Sequence, residues 1–135
     1  MTIKKESKPN GVVTIQTLAM PADTNAYGDV FGGWLVSQMD LAGNILAKQL
    51  SDGRSVTVAI HSMTFKQPVH IGDVVSCYVS LIKAGRTSLT MNVEVWTNVQ
   101  HPVHCKKVTE GVFVYVAIDD EGHPRELPPP PLAIV

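Results

Sequence analysis

The 135-residue chain carries only two cysteines, Cys77 and Cys105, and neither sits in a CxxC or zinc-ribbon spacing. A disulfide framework is excluded, and two buried, reduced thiols are expected. Net charge is nearly absent as well: 11 basic against 12 acidic side chains leave −1. No global field therefore favours nucleic acid or an anionic membrane, and an anionic ligand has to be held by local charges. No apolar run approaches the ~18 residues of a membrane span. The opening MTIKKESKPNG is basic but has no apolar core behind it, unlike a secretory signal. A soluble, cytoplasmic protein is the expectation. The Gly-x-Ser-x-Gly elbow of serine hydrolases is missing too.

What is present suits one globular domain. Hydrophobic residues make up 44% and charged residues 17%, and the length supports a single real core. Residues 1–10 read as a polar arm, 11–122 as the domain and 123–135 as a Pro-rich tail lying on the surface. GVVTIQTLA, at 11–19, alternates and is β-branched, so it reads as a strand. Residues 20–31 form a loop broken by Pro21, Asn25 and Gly28. Residues 32–50 read as one long helix, with Leu35, Met39, Ala42, Leu46 and Leu50 on a single face. Trp34, Leu41 and Ile45 spread apolar character to a neighbouring face, which predicts a helix buried over most of its circumference. Ser51-Asp52-Gly53 stops it.

Four strands follow, over 54–66, 73–83, 87–97 and 105–118, the last bent or bulged at Gly111. Their short links predict antiparallel neighbours. The fold class is α+β: one long helix covered by a curved, five-stranded antiparallel sheet.

Four places could carry chemistry. Asp40 lies inside the apolar helix, where a carboxylate is a poor interior residue and costly to bury unpartnered. It is either a structural acid, facing solvent on an exposed helix edge or bonded to Asn44 or Ser37, or a general base in a partly apolar cleft. Gly32 and Gly33 open the same helix. They are either part of a glycine turn with Asn25 and Asp29, or an oxyanion site built from free N–H groups. KAGRTS, at 83–88, gathers Lys83, Arg86, Thr87 and Ser88 in one turn. It is either a plain hairpin or a phosphate grip, but not a Walker loop, because no GK[ST] ending or helix follows. His101, His104 and Cys105 form too small a set for a tetrahedral zinc site, so no metal is expected. His61 reads as a core or interface histidine.

Four stretches taken together resemble a known family: TLAMPADTNAYGDVFGGWLVSQMDLAGNILAK, GRSVTVAIHSMTF, PVHIGDVVSCY and GRTSLTMNVEVW. They look like the YciA-type acyl-CoA thioesterases of the hotdog superfamily, over about residues 12–120. The resemblance implies a hotdog fold and hydrolysis of acyl-CoA to free CoA and a carboxylic acid. It implies no metal, cofactor or covalent nucleophile, coenzyme A being part of the substrate. It implies an active site between two protomers of a homo-oligomer, usually a trimer of dimers, with no nucleic-acid or integral membrane partner. Asp40 matches the family's catalytic helix aspartate. Asn25 matches its loop asparagine, supplied by the partner chain. Gly32 and Gly33 match the helix-start glycines. Gly85, Arg86, Thr87 and Ser88 match the turn that holds CoA phosphates. Outside the matched turn, Arg54 is a further candidate cation for the nucleotide end.

The chain departs from the family at Tyr27, Asn44 and His61, where asparagine, a small residue and an acid are usual. Gln67 replaces the lysine before Pro68, and Lys66 stands one position too early, on the opposite strand face. Two other readings stay open. An enoyl-CoA hydratase or dehydratase would need a His–acid pair, for which only His61 offers itself. A non-catalytic acyl-CoA sensor would have no use for Asp40 and Asn25. Asp40 acting directly as the nucleophile is a further alternative to the base.

Overall fold

In the computed structural model, residues 8–129 are described. Most of the expected N-terminal arm and the tail from residue 130 onward lie outside them. Helix α1 (Gly32–Ser51) lies against a sheet of β1 (Val12–Leu18), β2 (Ser55–Phe65), β3 (Val74–Ala84), β4 (Ser88–Thr97) and β5 (Lys106–Ala117). The strand order is β1-β3-β4-β5-β2, and every neighbouring pair is antiparallel.

The core forms where two periodicities meet. On α1, Leu35, Met39, Ala42, Leu46 and Leu50 are each 3% exposed or less. The facing sheet contributes Leu89, Met91, Val93 and Val95 from alternate positions of β4, with Val75, Cys77 and Val79 from β3 and Phe113 and Tyr115 from β5. Asp52 ends the helix in the left-handed conformation at φ 56°.

Three expectations need correction. First, α1 is not enclosed on all sides. Leu41 is 55% and Ile45 39% exposed, because a sheet on one side can cover only one stripe of a helix. Second, β2 does not pair with β3, despite the short link between them. The link runs past the start of α1 instead. Val69 is buried there and accepts a hydrogen bond from the Val30 N–H at 2.8 Å. This path delivers β2 to the far edge, beside β5. Third, the irregularity expected at Gly111 belongs to β2. Opposite Gly111, β2 fits in both Ser62, at φ 59°, and Met63. Gly111 is the residue that makes room, since a Cβ there would lie 2.1 Å from Met63 Sδ. A second bulge in β2 leaves Val58 without a partner between Thr57 and Ala59.

The two thiols also differ. Cys77 is fully buried, whereas Cys105 is only half-buried, at the end of the β4–β5 loop. Burial pushes the Cys77 thiol up to about 12, so no reactive thiolate exists there near neutrality. A chromogenic disulfide reagent at pH 8 should modify Cys105 in the native protein and Cys77 only after unfolding. Equal native rates would contradict this burial.

The segment after β5 is bonded back onto the domain. Pro124 bridges Ile118, and the Arg125 N–H bonds Ala117 O at 2.9 Å. The Arg125 guanidinium donates to Ser51 O and Ile118 O, each at 2.8 Å. Ser51 O is one of the carbonyls that a helix end leaves unpaired, at the negative pole of its dipole. Arg125→Ala should therefore destabilise the fold by about 1–3 kcal/mol, read as a lower denaturation midpoint. An unchanged midpoint would remove this cap from the account.

Candidate active site

Asp40 is half-buried at the edge of the packed stripe of α1. Its partners come from the sheet, not from Asn44 or Ser37. The Thr57 hydroxyl donates to Asp40 Oδ1 at 2.6 Å. The Tyr115 hydroxyl lies 2.9 Å from the Asp40 backbone oxygen and 3.2 Å from Oδ1. Thr57 and Tyr115 are direct cross-strand partners, so their side chains rise from the same face of the sheet. Among the described residues, Oδ2 accepts no hydrogen bond. Beside Asp40 is a cavity of about 340 Å³, lined also by Ile15, Leu41, Asn44, Ile45 and Lys48.

Tyr115 is fully buried. Its phenol is held well above the usual range, by burial first and then by the Asp40 charge and hydrogen bond. It is therefore a donor at any working pH. Its reach depends on Gly43, because a Cβ at that position would fall 2.2 Å from the hydroxyl oxygen.

The loop before α1 is a closed turn. Asn25 Oδ1 accepts the N–H of Tyr27 at 2.8 Å and of Asp29 at 3.2 Å. The Asn25 oxygen is thus consumed locally, while its Nδ2 hydrogens have no acceptor among the described residues. Tyr27 is 88% exposed. Asp29 Oδ1 meets His70 Nδ1 at 2.9 Å. At the helix start, Phe31 stands in the capping position and provides no side-chain cap. Among the described residues, the Gly32 and Gly33 N–H groups consequently donate to no acceptor.

Asp40 and these amides do not converge within one protomer. Asp40 lies eight positions beyond Gly32 on the helix, about 12 Å along the axis. Gly32 opens onto a different cavity, with Phe65, Lys66 and Gln67.

The expected phosphate residues do share one end of the sheet. The Gly85 N–H closes its turn on Ser88 O at 2.8 Å. Arg86 pairs with Glu126 at 3.0 Å, both well exposed. Thr87 O accepts from the Ala117 N–H, and Arg54 O from the Ile118 N–H. Arg54 also donates to Asp120 O at 3.4 Å. An exposed Arg–Glu pair contributes little, so Arg86 can exchange Glu126 for a phosphate.

Other candidates separate from this site. His61 is exposed on β2 rather than in the core, because β2 is an edge strand, and it bonds no acid among the described residues. Lys66 lines the cavity at Gly32, not the one beside Asp40. His101 Nδ1 accepts the N–H groups of Val103 and His104, which spends one of its two ring nitrogens on the loop. A group that the sequence reading missed, Asp119, Glu121 and His123, brings three ligand-type atoms within 4.8 Å on an exposed turn. Backbone bonds from His123 and Glu121 to Asp119 account for that turn and help hold the Asp119 carboxyl low.

Residues 27–103 match the thioesterase superfamily. The chain belongs to that superfamily. The acyl-CoA thioester hydrolase YciA of Escherichia coli (strain K12) is 54% identical over 123 residues, spanning 89% of this chain and 93% of the relative. The crystal structure of a hexameric thioesterase from Yersinia pestis superposes with a TM-score of 0.86 at 55% identity, covering 90% of this chain and all of that one. HI0827, described as a hexameric broad-specificity acyl-coenzyme A thioesterase, gives 0.84 at 49% identity, covering 90% and 84%. The YciA-type hotdog thioesterases named from the sequence motifs are thus this superfamily chain's own group.

Two site residues escaped the sequence reading. Thr57 and Tyr115 stand 17 and 75 residues from Asp40. Only the β2–β5 register brings them together. Gly43→Ala should press a methyl against Tyr115 and destabilise the fold by about 1–3 kcal/mol, visible in thermal melts. A variant as stable as wild type would show that the contact relaxes freely.

Proposed function

We propose that this thioesterase hydrolyses acyl-CoA thioesters to coenzyme A and a carboxylic acid, with Asp40 as general base. The observation that carries the reading is the Asp40 carboxylate itself. One oxygen is held by donors from the sheet, and the other accepts no hydrogen bond among the described residues and lies beside a cavity walled partly by Ile15, Leu41 and Ile45. Asp40 takes a proton from water as the water oxygen bonds to the thioester carbonyl carbon. Collapse of the tetrahedral species breaks the C–S bond, and the proton leaves with the thiolate as CoA–SH. The step draws on no cofactor.

The oxyanion donors come from a second copy of the chain. One protomer holds its own Gly32 and Gly33 amides too far from Asp40, so the pairing is Asp40 of one copy with the helix start of its partner. The Asn25 Nδ2 hydrogens of that partner then reach the carbonyl oxygen or the water. The surface supports such a dimer. Val56, Val58 and Ile60 are 41–55% exposed on β2, the last strand in the sheet order, and Leu41 and Ile45 are exposed on α1. Three such dimers would make a hexamer, as in the Yersinia pestis relative. Arg86, Thr87, Ser88 and Arg54 hold the CoA phosphates at the sheet end, Gly85 shapes the turn, and the protein works in the cytoplasm.

Free-thiol release from a panel of acyl-CoAs tests the reading. Asp40→Asn should lower kcat by about 10²–10⁴-fold while CoA still binds. A folded Asp40→Asn variant at the wild-type rate would sink it, and intact acyl-CoA after prolonged incubation with wild type would favour the sensor. Arg86→Ala should raise KM for CoA esters about tenfold with kcat little changed. An unaltered KM would place the phosphates elsewhere.

A further inference from the structure

Tyr115 exchanges no proton in the step above, yet its hydroxyl is aimed at Asp40 from a fully buried ring. Resting on the assignment of Asp40 as base, we infer that Tyr115 is a positioning residue for the reaction, holding the Asp40 carboxylate in its working orientation.

The geometry points this way on three counts. The single hydroxyl hydrogen is shared between the Asp40 main-chain oxygen, at 2.9 Å, and Oδ1, at 3.2 Å. It thereby ties the side chain to the turn of α1 from which it springs. Thr57 meets the same Oδ1 at 2.6 Å. The Thr57 bond and the shared Tyr115 hydrogen on one oxygen restrict rotation of the carboxylate and leave Oδ2, without a partner among the described residues, as the oxygen that meets water. Finally, Gly43 stands in the middle of α1, where glycine weakens a helix relative to alanine. The hydroxyl occupies the space that a Cβ would take, 2.2 Å from that position. A tyrosine serving only to fill the core would need neither the missing Cβ nor the aim at Asp40.

A purely structural role makes a different forecast. A pin between sheet and helix would affect stability and would act on the rate independently of the Asp40 side chain. A positioning role acts through that side chain alone.

A double-mutant cycle separates the two. Tyr115→Phe keeps the ring and removes only the oxygen. It should lower kcat for a short acyl-CoA about tenfold, with KM unchanged within twofold. Placed on Asp40→Ala, the same change should alter the residual rate less than twofold. Gly43→Ala displaces the hydroxyl by another route, so it should reproduce the kcat loss and the same loss of effect without Asp40. It serves in place of Tyr115→Phe if that variant does not fold, folding being judged by thermal melts. An equal kcat loss with and without the Asp40 carboxylate would overturn the inference, as would a folded Tyr115→Phe enzyme at wild-type kcat. If instead Asp40→Ala alone ran at the wild-type rate, the base assignment would fail before Tyr115 was tested.

Discussion

The one-sided cover of α1 governs the rest of the structure. A five-stranded sheet reaches Leu35, Met39, Ala42, Leu46 and Leu50, all buried, and leaves Leu41 and Ile45 exposed. Asp40 falls on the boundary between these two regimes. One turn further round, its carboxylate would be immersed in Leu and Met side chains with a desolvation penalty of several kcal/mol. On the open side it would be an ordinary solvated acid. At the boundary it meets Thr57 and Tyr115 on one oxygen and leaves the other accessible. Within the protomer, Asp40 and the helix-start amides stay apart. The helix start and Asp40 lie on one rod, about two turns apart, and a rod cannot fold back on itself.

Local periodicity made the helix, its buried face and the alternation of β4 legible from the residues. Each depends on neighbours three, four or two positions away. The Ser51-Asp52-Gly53 stop was legible for the same reason, and Asp52 does take the left-handed conformation that ends α1. The position of Asp40 could be read, as could the polar turn around Asn25. What Asp40 touches could not. Its partners belong to strands separated from it in sequence, and Asn44 and Ser37 were merely the polar groups within helical reach. The family motifs pointed to candidate site residues without giving their geometry within one chain.

Strand β2 shows why pairing resists inspection. Its apolar positions Val56, Val58 and Ile60 look like the inward face of a strand, yet all three are exposed. Bulges at Val58 and at Ser62–Met63 break the simple alternation, and the strand stands at an edge where apolar side chains have no partner within the protomer. Thr57, the polar residue of the stretch, is the one that turns towards the helix and bonds Asp40. The order of strands was equally hidden, since the link from β2 to β3 is short enough for a hairpin and in fact passes across the start of α1.

Gly43 and Tyr115 have a further consequence for how this chain can change over time. They lie on different elements and touch through a space smaller than a methyl group. Neither position is free to drift alone: a side chain gained on the helix must be matched by one shortened on the strand. Descendants and relatives should therefore vary at these two positions as a pair. Where both have changed, the carboxylate one turn before the glycine will have had to find another support.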